Sequence, residues 1–148
     1  MDTEYAPHCI YRIRYHIVIC LKYRKRLLLD QAKINFFLWI LKEIEKRYFI
    51  KSDKIGTDGD YIHLFLGAAP RYSPSRIIQI IKSITTREMF KMFPEIRKEL
   101  WEGEFWSDGD YVGTISDQPT EKIIQEYIER HGTKEEKENL RQMKLFDL

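Results

Sequence analysis

Residues 11–22 alternate between apolar and polar side chains over a length that suits one long β-strand. Successive strand residues point to opposite faces of a sheet, so the pattern predicts a strand with one buried face. The positions predicted for the buried face are Tyr11, Ile13, Tyr15, Ile17, Ile19 and Leu21. The opposite face carries charged and polar residues, among them Arg12, Arg14, His16 and Lys22.

A second stretch, GDYIHLFLG at residues 59–67, shows the same alternation. It predicts a strand with an apolar face made of Ile62, Leu64 and Leu66. The other face places the phenol of Tyr61 two residues from the imidazole of His63, with Phe65 beyond them. A histidine in place of Tyr61 would make a pair of metal ligands, whereas the simpler interpretation is a half-buried strand face.

The remaining pattern alternates strands with helices and predicts the order β-α-β-β-α-β-α-α. We expect an α+β fold: a single, mostly antiparallel sheet with helices packed on one face, in one domain spanning residues 1–148. An Asp-Gly turn at residues 57–60 is expected to join two strands. The other predicted elements are a helix at 31–48, a strand at 49–56, a helix at 74–92 starting at Ser73-Pro74, a hairpin or bulged strand pair in FWSDGDYVGTIS, a helix from Pro119 to a cap at Gly132, and a charged helical tail at 133–148.

The composition describes a globular chain, with 43% hydrophobic and 32% charged residues. No apolar run approaches the ~18 residues of a membrane span, and the start lacks the apolar segment of a signal peptide. Cys9 and Cys20 form neither a CxxC motif nor a disulfide framework, so we expect reduced thiols. These features predict a cytoplasmic protein without a membrane partner.

Residues 10–29 contain six basic side chains and no acidic one. Such a patch suits a phosphate backbone, and it equally suits a solvated strand edge that uses charge to prevent aggregation. The candidates for DNA-backbone contacts are the residues at the end of the first strand, Lys22, Arg24, Lys25 and Arg26. Trp101 and Trp106 are predicted to pack in the core or in an interface in preference to stacking on bases.

The predicted third helix contains EYIERHG, in which Tyr127 and His131 are four residues apart and share one face. Tyr127 can simply complete the apolar stripe while His131 lies at the helix C-terminus, where a cation is favourable. The functional interpretation is a nucleophile, because a tyrosine oxygen can attack a phosphodiester and form a covalent intermediate. The ordinary pKa of a phenol is ~10, so such a tyrosine needs a nearby cation or base, and a divalent metal would polarise the phosphate.

Five blocks together give the chain a family resemblance: YHIVICLKYRKRLL, GTDGDYIHLFL, IIKSITTREMF, FWSDGDYVGTIS and IIQEYIERHG. In this order and spacing, from about Tyr15 to Gly132, they resemble the single-tyrosine HUH transposases of the small insertion sequences, the TnpA type. The resemblance implies the ferredoxin-like HUH endonuclease architecture. It also implies a homodimer that acts on single-stranded, hairpin-forming DNA.

The resemblance also implies roles for individual residues. Tyr127 matches the nucleophile, and His63 matches the second histidine of the histidine-hydrophobic-histidine motif. Tyr61 falls on the first histidine, and His131 falls on a further polar ligand one turn after the tyrosine. These residues would hold Mg²⁺ or Mn²⁺. Lys82 and Arg87 lie on a helix that the family uses near DNA.

Tyr61 departs from the family pattern, because a protonated phenol is a poor ligand for a divalent metal. Three outcomes stay open: Tyr61 binds as phenolate, His63 and His131 hold the metal weakly with waters and phosphate oxygens, or the metal site is lost. Asp58 or Asp60 could substitute only if the strand is bulged there.

These observations lead to an enzyme hypothesis with alternatives. The resemblance implies a metal-dependent transposase that cleaves and rejoins single-stranded DNA at hairpin-marked ends through a 5′-phosphotyrosine intermediate. The second hypothesis is an impaired or domesticated copy that binds hairpin DNA without cleaving it. A third is an α+β protein unrelated to DNA.

Overall fold

The computed structural model describes residues 4–7 and 9–114 of the chain. The strands are β1 Glu4–Ala6, β2 Cys9–Tyr11, β3 Arg14–Leu21, β4 Ile50–Thr57, β5 Tyr61–Ala68 and β6 Trp106–Thr114. The helices are α1 Gln31–Arg47, α2 Pro74–Met92 and α3 Pro94–Glu99, with a 3₁₀ turn at Lys22–Arg24. The predicted third long helix and the charged tail at 133–148 lie outside the described residues.

Four strands form an antiparallel sheet in the order β4-β5-β3-β6, and β1 pairs with β2 in a separate hairpin. β3 and β5 are therefore the central strands. In their register Ile17 is opposite Leu64 and Val18 is opposite His63. The predicted α+β architecture with one mostly antiparallel sheet is confirmed.

One face of this sheet packs against the helices. Ile17 and Ile19 of β3 and Ile62 and Leu64 of β5 are fully buried in that core. Each of the three described helices contributes apolar side chains to the same cluster, including Phe37, Ile44, Ile77, Ile81 and Ile96. Burial of this apolar area, worth roughly 25 cal/mol per Å², is what holds the helices on the sheet.

Local signals fix where the two long helices begin. The Asp30 carboxylate accepts a hydrogen bond from the Ala32 backbone N–H at 3.1 Å, which caps α1. Ser73 Oγ accepts from the Arg76 N–H at 3.1 Å, and Pro74 takes the first helical position of α2. α2 ends at Met92, two residues before Pro94, as its sequence predicts.

The expectation of one buried face for residues 11–22 is wrong in two respects. Tyr11 ends β2, and the long strand begins at Arg14. Its polar face is also buried, since His16 and Val18 are fully inaccessible to solvent. Alternation reports which residues share a face, but a sheet can be covered on both faces.

Residues 106–114 form one strand, so the predicted hairpin is wrong there and the predicted bulge is partly right. Trp106 is opposite Leu21 and Asp110 is opposite Ile19, with an irregularity between those pairs. Asp108-Gly109 therefore lies in a bulge of β6, because both flanks of the dipeptide pair with the same strand. The Asp-Gly turn between β4 and β5 is confirmed, with Gly59 at φ 96°.

No helix in the described part of the chain is both long and apolar enough to cross a membrane.

Candidate active-site face and basic turn

Tyr61 and His63 share the sheet face opposite to the helical core, as the alternation of β5 predicts. Their ring centroids are 6.4 Å apart. Both are buried, with Tyr61 at 0% and His63 at 3% exposure. The half-buried strand face expected here is therefore a buried one.

His16 is a further ring on this face, beside those of Tyr61, His63 and Phe65, and the alternation does not mark it as a site residue. It lies on β3 opposite Phe65, two pairs along from Val18 and His63. Its ring centroid is 6.3 Å from that of His63 and 4.0 Å from that of Phe65. The antiparallel register brings the two imidazoles together, and that register was not readable from two separate alternating segments.

Burial controls the protonation of these rings. Desolvation lowers the pKa of His63 to about 4, and desolvation together with the neighbouring His63 lowers the pKa of His16 to about 3. Burial raises the pKa of the Tyr61 phenol, and the carboxylates of Asp58 and Asp60 raise it further. At neutral pH the face therefore holds two neutral imidazoles and a protonated phenol.

Gly56 on β4 makes room for His63, to which it is paired in register. A Cβ atom at position 56 would overlap the imidazole ring, so the ring lies directly against the glycine backbone. A strand glycine often marks such a close approach. The sequence pattern alone does not connect this glycine with His63.

The acidic residues beside the face are engaged with arginines. Asp60 is fully buried, and its Oδ2 accepts from Nε and Nη2 of Arg24 at 3.3 and 3.2 Å. Asp58 Oδ1 is 3.7 Å from Arg26 Nη2, and the Asp58 carbonyl accepts from that same nitrogen at 3.2 Å. Among residues 4–7 and 9–114, no group of three or more His, Cys, Asp or Glu side chains is arranged to hold a metal ion.

The four basic candidates after β3 differ in their surroundings. Arg24 is held by the buried Asp60, and its side chain is 15% exposed. Lys22 Nζ lies 3.8 Å from Glu104 Oε2, and Lys25 Nζ lies 4.8 Å from the centroid of the Trp101 ring. Arg26 is exposed. Their assignment to DNA stays a prediction.

The two candidates on α2 line a groove of about 1020 Å³ between that helix and β6. Lys82 Nζ donates to the Ser107 carbonyl at 3.0 Å and lies 3.4 Å from Asp110 Oδ2. The Arg87 side chain is exposed, with its Nε 3.3 Å from Glu88 Oε1. Lys82 thus helps to join α2 to β6, whereas the Arg87 guanidinium faces solvent.

The two tryptophans have different environments. Trp106 is buried, and its indole N–H donates to Thr85 Oγ1 at 3.0 Å, so the predicted core packing is confirmed. Trp101 is 67% exposed, so it does not pack in the core, and the alternative expectation of packing in an interface stays a prediction. Tyr127 and His131 lie outside the described residues.

The fold and this face together define a class of protein. The antiparallel sheet with helices on one face, and with His63 on a central strand of the other face, is consistent with the HUH architecture that the sequence resemblance implies. Residues 9–131 match the family described as IS200-like transposases. The chain belongs to that family and is a DNA-processing enzyme of the transposase type.

Individual relatives agree with this assignment. The chain is 29% identical to the ISDra2 transposase TnpA of Deinococcus radiodurans, over 85% of this chain and 89% of that protein. It is 26% identical to the transposase of insertion sequence element IS200 from Salmonella typhimurium, over 92% of this chain and 87% of that protein. The hypothesis of a protein unrelated to DNA is therefore wrong.

Two solved structures resemble the chain. A crystal structure of a Deinococcus radiodurans protein described as a transposase superposes with a TM-score of 0.76 and 28% identity, covering 88% of this chain and 98% of that one. A tyrosine transposase bound to a REP hairpin superposes with a TM-score of 0.51 and 13% identity, covering 89% and 75%. The second likeness shows the fold alone.

Proposed function

We propose that this transposase cleaves and rejoins single-stranded DNA at hairpin-marked element ends, with Tyr127 as the nucleophile. The observation that carries the proposal is the family match over residues 9–131, which spans both His63 and Tyr127. The hairpin substrate is what the family resemblance implies, and a tyrosine transposase of the same fold has been solved bound to a REP hairpin.

The proposed reaction has two transfers that conserve the phosphodiester bond energy. The Tyr127 oxygen attacks the scissile phosphorus, the bond to O3′ breaks, and the O3′ takes up a proton as the phenol loses one. The products are a 5′-phosphotyrosine and a free 3′-hydroxyl. A 3′-hydroxyl then attacks the phosphotyrosine, which rejoins DNA and returns the phenol, so no ATP is needed.

A divalent metal, Mg²⁺ or Mn²⁺, would polarise the scissile phosphate when it is bound. The described donors fit such an ion in part. His63 and His16 are both neutral at pH 7, and neutral imidazole suits borderline divalent metals. His63 would hold the ion with His131, and His16 is the described imidazole best placed to replace the missing strand histidine.

Tyr61 is the weakest member of the proposed ligand set. Its raised pKa keeps the phenol protonated at neutral pH, and a protonated phenol binds a metal poorly. This observation favours the second candidate function: an impaired copy that binds hairpin DNA and does not cut it. The two candidates share the DNA substrate and differ in chemistry.

The test is incubation with a single-stranded hairpin oligonucleotide and Mg²⁺ or Mn²⁺, followed by a denaturing gel and peptide mapping. We expect a covalent protein–DNA adduct at Tyr127 that disappears in Tyr127→Phe while hairpin binding persists. Tyr61→Phe is the matched control and should still form the adduct. An adduct mapped to Tyr61 overturns the assignment of the nucleophile, and binding without any adduct supports the second candidate function.

A further inference from the structure

Two aromatic side chains, Tyr23 and Trp101, are exposed to solvent next to each other, close to Lys22 and Lys25. Tyr23 is 57% exposed and Trp101 is 67% exposed. Their ring centroids are 5.1 Å apart with an interplanar angle of 83°, so the edge of one ring faces the plane of the other. Aromatic side chains are usually buried, and a contiguous exposed aromatic surface often marks a binding site. The exposed pair therefore suggests a ligand.

The backbone holds both rings in sparsely populated conformations. Tyr23 and Arg24 have φ of 58° and 52°, and Trp101 and Glu102 have φ of 51° and 60°. Non-glycine residues rarely adopt this left-handed region, and such conformations persist where the surroundings over-determine them. Two adjacent turns with the same unfavourable backbone present the two aromatic rings.

Specific contacts fix these turns. The Arg24–Asp60 ion pair anchors the first turn to a fully buried carboxylate. The Lys22 N–H donates to the Phe105 carbonyl at 2.9 Å, which joins the first turn to the chain entering β6. The Glu102 N–H donates to the Arg97 carbonyl at 2.8 Å and closes the second turn. These contacts therefore preorganise the two turns in the absence of a ligand.

Lysines accompany both rings. Lys25 Nζ lies 4.8 Å from the Trp101 centroid, and Lys22 Nζ lies 5.7 Å from the Tyr23 centroid. Two acids are also near, but Glu104 is 3.8 Å from Lys22 and Glu102 is 3.9 Å from Arg97, so each has a cation beside it. Aromatic faces with flanking cations match an unpaired base with its phosphates.

We propose that Tyr23 and Trp101 form a stacking site for an unpaired base of single-stranded DNA, with Lys22 and Lys25 contacting the flanking phosphates. The inference rests on the proposed function, since it names the part of the DNA substrate that this surface binds. It concerns the single-stranded extension beside a hairpin and not the duplex stem, whose bases are already stacked.

The experiment measures binding of a fluorescent hairpin with a single-stranded extension to the full chain in EDTA, so that cleavage does not intervene. Stacking on an aromatic is worth ~1–3 kcal/mol per base, which predicts that Trp101→Ala binds roughly 5- to 150-fold more weakly. Trp39→Ala is the matched control: Trp39 is also exposed, at 52%, but its ring stacks on Phe36 of α1. It should bind like wild type.

An abasic extension makes the test specific to stacking. Removing the base should weaken DNA binding by the wild-type chain. It should weaken binding by Trp101→Ala only slightly, because that variant already lacks the stacking interaction. Trp101→Phe keeps a ring and should retain part of the affinity.

A second readout is quenching of Trp101 emission by the DNA in a Trp39→Phe background, where Trp106 is the one other tryptophan and is buried.

Equal binding by wild type and Trp101→Ala, or an equal loss in Trp39→Ala, overturns the stacking site. So does a loss in Trp101→Ala that is the same size on intact and abasic extensions. The stacking site is supported if the intact extension binds more tightly than the abasic one in wild type but not in Trp101→Ala. If no covalent adduct forms in Mg²⁺ at the same time, that result counts against cleavage. Absence of DNA binding by the wild-type chain overturns both proposals.

Discussion

Tyr61 departs from the family's histidine, and its surroundings make this difference important for metal binding. The phenol is fully buried, and burial raises its pKa further above the ordinary value of ~10. Ionisation would place an anion beside Asp58 and Asp60, which also raise that pKa. A phenolate ligand is therefore the least favourable of the three outcomes that the sequence left open.

Restoring a histidine at this position should restore metal affinity. We expect Tyr61→His to bind Mn²⁺ more tightly by about 10–100-fold, since changes in a metal site's ligands and supporting shell have effects of that size. Calorimetry with Mn²⁺ measures the gain directly. His63→Ala in the same background should cancel it.

Titration with Mn²⁺ also tests whether His16 acts as a metal ligand. His16→Ala should weaken Mn²⁺ binding of the wild-type chain if this imidazole stands in for the absent strand histidine, and it should matter less once Tyr61→His is present. Tight Mn²⁺ binding by wild type that equals that of Tyr61→His would contradict the view that Tyr61 is a defect.

The buried imidazoles also predict a pH dependence of stability in the metal-free protein. The pKa values of His16 and His63 are about 3 and about 4, while an unfolded histidine titrates near ~6.5. Between these values the unfolded chain binds more protons, so stability falls as pH falls through that window and is fully present above it. The phenols of Tyr61 and Tyr111, which face these rings, stay protonated throughout because burial raises their pKa values.

Urea unfolding in EDTA across this window measures the effect, which should reach ~1.4 kcal/mol per pH unit for each histidine. His16→Phe removes one titrating group beside Phe65 and should make the dependence shallower, whatever its effect on stability at pH 7. An unchanged slope in that variant would mean that His16 is protonated to the same extent in both states.

At the scale of elements, the 3₁₀ turn after β3 has two kinds of basic residue. Arg24 connects the turn to the buried Asp60, whereas Lys25 lies against the Trp101 ring and the exposed Arg26 pairs with Asp58. Replacing one partner of a buried ion pair leaves the other charge buried without a partner, which lowers the free energy of unfolding by about 3–5 kcal/mol. Arg24 should therefore affect stability as well as any contact with DNA.

The salt dependence of hairpin binding separates these roles. Lys25→Ala with Arg26→Ala should reduce the slope of log affinity against log salt by about 1.4 to 1.8, as expected for the loss of two phosphate contacts. Arg24→Ala should lower the urea midpoint. The control pair Lys42→Ala with Lys46→Ala removes two exposed lysines of α1 and should leave the slope unchanged. An unchanged slope in the first pair would remove Lys25 and Arg26 from the DNA contacts.

At the scale of the whole molecule, the described sheet has two edge strands, β4 and β6. An unpaired edge is a ready template for pairing with another chain, and the family resemblance implies a homodimer. We expect sedimentation at twice the mass of the 17.9 kDa chain. A monomer at micromolar concentration with hairpin DNA present would rule out an arrangement in which one subunit supplies Tyr127 to its partner.

The sequence by itself determined most of the described elements and which residues share a face, because the signals for both are local. The Asp30 and Ser73-Pro74 helix starts, the Asp-Gly turn before β5 and the common face of Tyr61 and His63 each depend on neighbouring residues along the chain. Five spaced blocks likewise sufficed to indicate the transposase family.

Only the tertiary structure decided which distant residues meet. The β3–β5 register sets His16 beside His63, the β4–β5 register sets Gly56 under that ring, and chain folding brings Arg24 to Asp60 and Trp101 to Tyr23. A strand's own pattern contains neither its register nor whether its second face is buried. Alternation therefore places His16 on the correct face without showing that this face is buried, and the exposure of Trp101 is likewise a property of the folded chain.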